Sequence, residues 1–409
     1  MTPEIILFLI IGIVTFDFVL DKILDYLNLR NSKDEIPEVM KDYYDEEKYQ
    51  KSQEYQRVNS RFSLLTSSIS FVVALGLLWF GGFGWLDGQL RSIIDSEIVL
   101  SLSFFGVLFI VSDILAIPFS LYGTFVIEEK FGFNKTTPKT FVMDKLKGYV
   151  LAIILGGGIL ALLMWLVQEM GHNFWLYFWI AIAVFTLFIN MFYTSLILPL
   201  FNKLTPLEDG ELKQAIETYS KKIKFPLDNI FVIDGSKRSN KANAFFSGIG
   251  KKKKIVLYDT LINNHTTEEL VAVLAHEVGH FKKKHVIYSF ILSVLQMGIT
   301  LFVMSLMVFN ESLSIALGAD QLGIHINLIA FTILYSPISK VSGILMNVFS
   351  RKNEFEADAY AKETYDNVQL QVALKKLSVD NLSNLYPHPA YVFMNYSHPP
   401  LLKRLEAMN

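Results

Sequence analysis

Seven stretches of the chain are apolar over most of their length, at about residues 5–20, 62–83, 99–124, 149–168, 174–200, 286–309 and 326–349. A helix needs roughly 20 such residues to cross a bilayer, so the pattern predicts an α-helical polytopic membrane protein with about seven crossings. The first run is short and holds Asp17, and the last contains Pro337 and Lys340, which makes these two the weakest spans. The expected organisation is a membrane region over 1–200 with five helices, a polar part over 201–285, two further helices over 286–349 and a polar carboxy-terminal part over 350–409. Segment 22–61 is polar with mixed charge and reads as a solvated helical extension. Inside 201–285, "DNIFVID" and "KIVLYD" read as short β-branched strands. "SNKANAFFSGIGKKKK" between them suggests an extended segment, a turn and a return strand, with the lysines at 251–254 on an exposed hairpin flank.

Composition agrees with a membrane protein. Of the 409 residues, 52% are hydrophobic and 14% aromatic, and mean hydropathy is +0.37. Only 19% are charged, below the roughly 25% usual for soluble domains. A net charge of −2 gives nucleic acid no footing. The chain has no cysteine, which excludes disulfides, thiolate metal ligands and a cysteine nucleophile.

Charge placement orients the chain. All but Arg91 of the 37 Lys and Arg fall on alternate sides of a seven-span arrangement. Positive charge collects on the cytoplasmic side, so the amino terminus faces outward and both long polar regions face the cytoplasm. Asp17, Asp113, Asn190 and Lys340 are costly in lipid and are expected to face protein or water.

The chemistry-bearing stretch is "TTEELVAVLAHEVGHFKKKH". Thr266 and Glu269 have the spacing of a capping box, and the helix it opens carries His276 and His280 at i and i+4, on one face. That spacing lets both imidazoles reach one zinc ion, with Glu277 about 100° around the helix and able to act on a water. A catalytic zinc needs a third protein ligand and an open position. In "NVFSRKNEFEADAYA", Glu354 and Asp358 are again four apart. Glu354 could bind the metal and Asp358 could accept from the outer nitrogen of a ligand histidine; a solvated acidic face is the alternative. Glu356 points elsewhere and reads as structural. Two crossings separate the His pair from Glu354, an even number, so both reach the same side. His285 is expected at the interface, and His172, His265, His325 and His388 as bystanders.

These motifs, the Asn347–Asp358 block, the closing "SHPPLLKRLEAM" and the upstream "PFSLYGTFVIEEKFGFNKTT" together resemble the type I CAAX prenyl endopeptidases, integral-membrane zinc metalloproteases of the gluzincin type. The resemblance spans nearly the whole chain. It implies about seven helices around a large water-filled chamber, with a cytoplasmic α+β metalloprotease domain, and one zinc ion per chain held by His276, His280 and Glu354. Glu277 would be the general base, and His398 of "SHPP" the donor to the oxyanion. Arg404 is the candidate for binding or orienting substrate. Asn243 and Ala244, in "NAFF", are candidates for pairing with an extended substrate backbone.

The expected function is therefore zinc-dependent hydrolysis near the carboxy terminus of proteins, prenylated or not, by a monomer embedded in a lipid bilayer. The membrane would be bacterial inner or endoplasmic reticulum, depending on source. The alternatives are a broader quality-control protease, like the shorter heat-shock membrane metalloprotease, and an inactive scaffold. An intramembrane site-2-type protease is excluded, because the motif lies in a lysine-flanked polar segment.

Overall fold

The computed structural model describes residues 1–225, 230–247 and 254–409. Among these, six helical stretches are long and apolar enough to cross a membrane: Pro3–Arg30, Glu46–Trp79, Glu97–Glu128, Pro138–Phe201, His285–Met307 and Ile324–Thr364. The fourth is broken at Gly171, whose φ of +51° suits a residue without Cβ. The flanking helices Gly158–Met170 and Phe174–Leu196 pack against each other, so this stretch crosses twice and the total is about seven. Phe8, Phe16, Val72, Ile153, Leu306 and Leu345 are exposed along these helices. So much outward apolar surface is unstable in water and natural against hydrocarbon. The chain is a multi-pass membrane protein.

Asp17, Asp113, Asn190 and Lys340 each meet a polar group of the protein. Lys340 Nζ lies 3.0 Å from Asp17, and the Ser336 hydroxyl donates to the same carboxylate at 2.8 Å. Asp113 meets Lys145 at 2.6 Å, and the Asn190 amide donates to the Thr186 carbonyl at 2.8 Å. Pro337 does not interrupt the last span. One helix of 41 residues, Ile324–Thr364, runs from the membrane region through to the acidic block, so the expected boundary at 349 falls inside it.

Segment 22–61 is not a solvated extension. Met40, Tyr44 and Tyr49 are buried in a cluster with Leu385. Tyr55 packs edge-on against Phe131 and Phe133. The Asn31 and Gln56 amides donate to the carbonyls of Tyr386 and Leu382. Its aromatic residues, spaced among the charges, join the first two helices to the carboxy-terminal part.

The polar part is built on a four-stranded sheet of order β1-β2-β4-β3: β1 Leu204–Pro206, β2 Ile230–Ile233, β3 Ala244–Ser247 and β4 Lys254–Tyr258. β2 and β4 are parallel and the outer pairs antiparallel. Of the lysine run only Lys254 is described; 251–253, like Asp228 and Asn229 before β2, lie outside the described residues. Helix Thr267–Lys282 packs on this sheet and on the long helix, burying Leu270, Val271, Leu274 and Val278 in one core with Ile255, Leu257 and Ala361. Each such aliphatic side chain contributes about 1.5–3 kcal/mol on burial, which anchors the helix that carries the histidines.

Candidate metal centre

The motif helix begins where its capping box places it. The Glu269 backbone N–H donates to Thr266 Oγ1 at 3.3 Å, and the Thr266 N–H to Glu269 Oε2 at 3.1 Å, a device that contributes about 1 kcal/mol. Two turns on, His276 and His280 project toward the long helix, and their Nε2 atoms face each other at 3.2 Å. Glu354 comes from that helix to meet them. Its Oε1 is 3.2 Å from His280 Nε2, and its Oε2 is 3.5 Å from His276 Nε2.

Glu354 is only 4% exposed, and its Oε2 has no hydrogen-bond partner among the described residues. Arg404 Nη1 stands 3.6 Å from this oxygen, beyond hydrogen-bond reach. A buried carboxylate oxygen without a hydrogen bond is costly; a cation among these three groups removes that cost. A tetrahedral zinc at 2.0–2.1 Å from its ligands separates them by roughly 3.3 Å; the two Nε2 atoms stand 3.2 Å apart, and one ligand atom from each of the three residues lies within 4.8 Å of the others. Two histidines and a glutamate are a ligand set of the kind found in catalytic zinc sites. The residues fit a divalent metal, and this is the one such group among those described.

Behind His276, its Nδ1 lies 2.8 Å from Asp358 Oδ1. Burial opposes charge on this ring, but the hydrogen bonds to Asp358 and Glu354 outweigh it and push His276 up to about 9. Arg404 is buried and holds Asp358 with a two-pronged grip, Nε to Oδ2 at 2.8 Å and Nη2 to Oδ1 at 2.6 Å. The guanidinium, a candidate for substrate from sequence, lies here behind the histidine, with Nη1 also 3.6 Å from Glu354 Oε2 and Nη2 3.4 Å from His276 Nδ1.

Glu277 is half-buried beside the cluster and makes no hydrogen bond to the described residues. Burial pushes its carboxyl up, against the pull of His276 and His280. His398 is exposed, with Nε2 3.3 Å from Glu354 Oε1. It is delivered by helix Pro389–Asn395, whose end the long helix grips. The Asn347 amide donates to the Met394 carbonyl at 2.9 Å. Arg351 donates to the carbonyls of Val392, at 3.1 Å, and Tyr396.

No hydrogen bond joins Asn243 or Ala244 to the cluster among the described residues. They sit at the start of β3, which among the described residues pairs with β4 alone and forms the sheet's edge. The Asn243 carbonyl accepts from the Tyr258 N–H at 3.1 Å, and its side chain from the Ala244 N–H at 2.8 Å.

Sequence reasoning missed two neighbours. His285 is 5% exposed and faces His280, and Glu356 faces His285. Their meeting depends on a backbone turn after the motif helix that no periodicity announces. The other histidines serve locally. His265 contacts the Leu261 carbonyl, His388 caps its own helix, His172 contacts the Ser305 carbonyl, and His325 is buried between Ser101 and Asp87.

Comparison with known proteins gives the same direction. Residues 25–203 match a family model described as "CAAX prenyl protease N-terminal, five membrane helices", and residues 206–409 match "Peptidase family M48". The CAAX prenyl protease 1 homolog of Arabidopsis thaliana is 37% identical over 98% of this chain and 96% of its own length. CAAX prenyl protease 1 of Saccharomyces cerevisiae is 35% identical over 92% and 89%. The crystal structure of S. mikatae Ste24p superposes with a TM-score of 0.93 at 34% identity, covering 100% of this chain and 99% of that one.

Proposed function

Because the chain belongs to peptidase family M48, in the CAAX prenyl protease group, we propose that it is a membrane zinc endopeptidase that trims the carboxy terminus of prenylated CAAX proteins. One observation carries the metal part of this reading: a buried carboxylate, one oxygen of which makes no hydrogen bond among the described residues, converging with two imidazole nitrogens.

His276, His280 and Glu354 would hold the ion. Zinc held there supplies Lewis acidity, polarising a scissile carbonyl and making water acidic near neutral pH. Glu277 takes a proton from water and passes it to the leaving amine; its raised pKa brings it closer to the operating pH, where a general base works best. His398 Nε2 offers a donor to the oxyanion as the carbonyl carbon becomes tetrahedral. Asp358 holds His276 in the tautomer that leaves Nε2 free, and Arg404 holds Asp358. The outer edge of β3, with Asn243 and Ala244, supports pairing with an extended peptide.

The Lys and Arg asymmetry supports a cytoplasmic site. One chain carries every residue the reading uses, which supports action as a monomer. The test is a cleavage assay on matched prenylated and unprenylated CAAX peptides, with mass spectrometry locating the cut. Release of the last three residues from the prenylated peptide, absent in Glu277→Gln, is the expected outcome. Equal cleavage by that variant would remove Glu277 as base, and cuts elsewhere in the peptide would remove the substrate assignment.

A further inference from the structure

We propose that His285 and Glu356 form a hydrogen-bonded string that positions His280 for the metal. This rests on the metal reading above and adds two residues to it. His280 Nδ1 lies 3.1 Å from His285 Nδ1, and His285 Nε2 lies 3.1 Å from Glu356 Oε2. The two rings meet at 72° with centroids 5.2 Å apart.

Proton placement gives the string one direction. If His280 Nε2 presents its lone pair to a metal, the ring proton sits on Nδ1 and must be donated. His285 Nδ1 must then accept, so its own proton sits on Nε2 and is donated to Glu356. Each link satisfies the next, and the string ends on a carboxylate. His276 has the same arrangement in shorter form, with Asp358 as its direct acceptor. Both ligand imidazoles are thus backed by a carboxylate from the long helix, which also supplies Glu354. Such outer partners fix ring orientation and raise ligand basicity.

A second observation supports a built arrangement. Lys284, between the motif helix and the next span, has φ +61° and ψ +24°, a left-handed conformation unusual for a residue other than glycine. This turn swings His285 back over His280. Had the motif helix continued, His285 would lie five residues on, away from the face His280 occupies.

The test uses the full-length protein in detergent, loaded with zinc and titrated with a competing chelator. His285→Leu keeps comparable bulk but removes both hydrogen bonds. It is expected to weaken zinc retention roughly 10–100-fold, and to lower kcat on a prenylated CAAX peptide with KM within about twofold. His285→Asn, whose side-chain oxygen can stand where Nδ1 stands, is expected to restore most of both. Glu356→Ala, at a partly exposed position, is expected to shift zinc retention the same way by a smaller factor. A folded His285→Leu protein that holds zinc as the wild type does overturns the string, as does an Asn variant no better than the Leu variant. If His285→Leu does not fold, unchanged zinc retention in Glu356→Ala overturns it. Wild-type protein that takes up no zinc overturns the metal reading and the string together; zinc-loaded wild type with unaffected variants removes the string alone.

Discussion

Arg404 grips Asp358 through two parallel hydrogen bonds, and Asp358 in turn meets His276, so a residue near the end of the chain sets the tautomer of one in the motif. Asp358→Ala is therefore expected to cost roughly 10–100-fold in metal affinity. Arg404→Lys, which cannot reproduce the planar fork, should follow in the same direction. Metal competition together with peptide turnover checks this. If Arg404 served substrate instead, its replacement would raise KM and leave metal affinity untouched.

Glu277→Gln separates holding the metal from doing chemistry. The amide keeps the shape of the side chain but cannot take a proton. Metal content should match the wild type, while kcat falls by a factor on the order of 10²–10⁴ or more. A variant that loses metal as well would make Glu277 part of the binding site.

The upward-shifted His276 predicts that metal uptake releases a proton. With its pKa pushed up to about 9 in the metal-free protein, the ring is charged at neutral pH, and the metal must displace that proton. Apparent affinity should then climb by up to about tenfold per pH unit from about pH 7 toward about pH 9, read by chelator competition at each pH. An ordinary imidazole would level off above about pH 7. Asp358→Asn, which removes a carboxylate holding the proton, should flatten the climb.

Much of this centre was legible because local rules and the fold agree. The Thr266 and Glu269 capping box forms as its spacing predicts, and i, i+4 spacing places both motif histidines on one face. Span parity brought Glu354 to the same side without any knowledge of packing. What could not be read depended on backbone turns and contacts between distant segments. Lys284 turns left-handed and brings His285 back, a conformation that composition does not signal. Arg404 could be marked as near the site, but its commitment to Asp358 appears only when the last helix docks. The polar segment 22–61 looked solvated because its charges outnumber its aromatics; the burial of Met40, Tyr44 and Tyr49 depends on Leu385, far along the chain.

Gly279, inside the motif, controls how closely the two ligand-bearing helices approach. A Cβ there would stand 3.0 Å from Ala357 Cα and 3.1 Å from both the Ala357 carbonyl oxygen and Tyr360 Cβ. Two opposing effects meet in Gly279→Ala. Helix propensity favours Ala by about 1 kcal/mol, whereas overpacking against backbone costs about 1–3 kcal/mol. Net stability should therefore change little or fall by up to about 2 kcal/mol. Metal binding is less forgiving, since ligand distances tolerate only about 0.2 Å, and the long helix carries Glu354 with it when it is pushed away. Gly279→Ala is thus expected to lose metal affinity by more than its thermal unfolding shift accounts for, and Gly279→Leu to lose both. Thermal unfolding beside chelator competition measures the two separately. An alanine variant with wild-type metal affinity would show that the helices can part without moving Glu354.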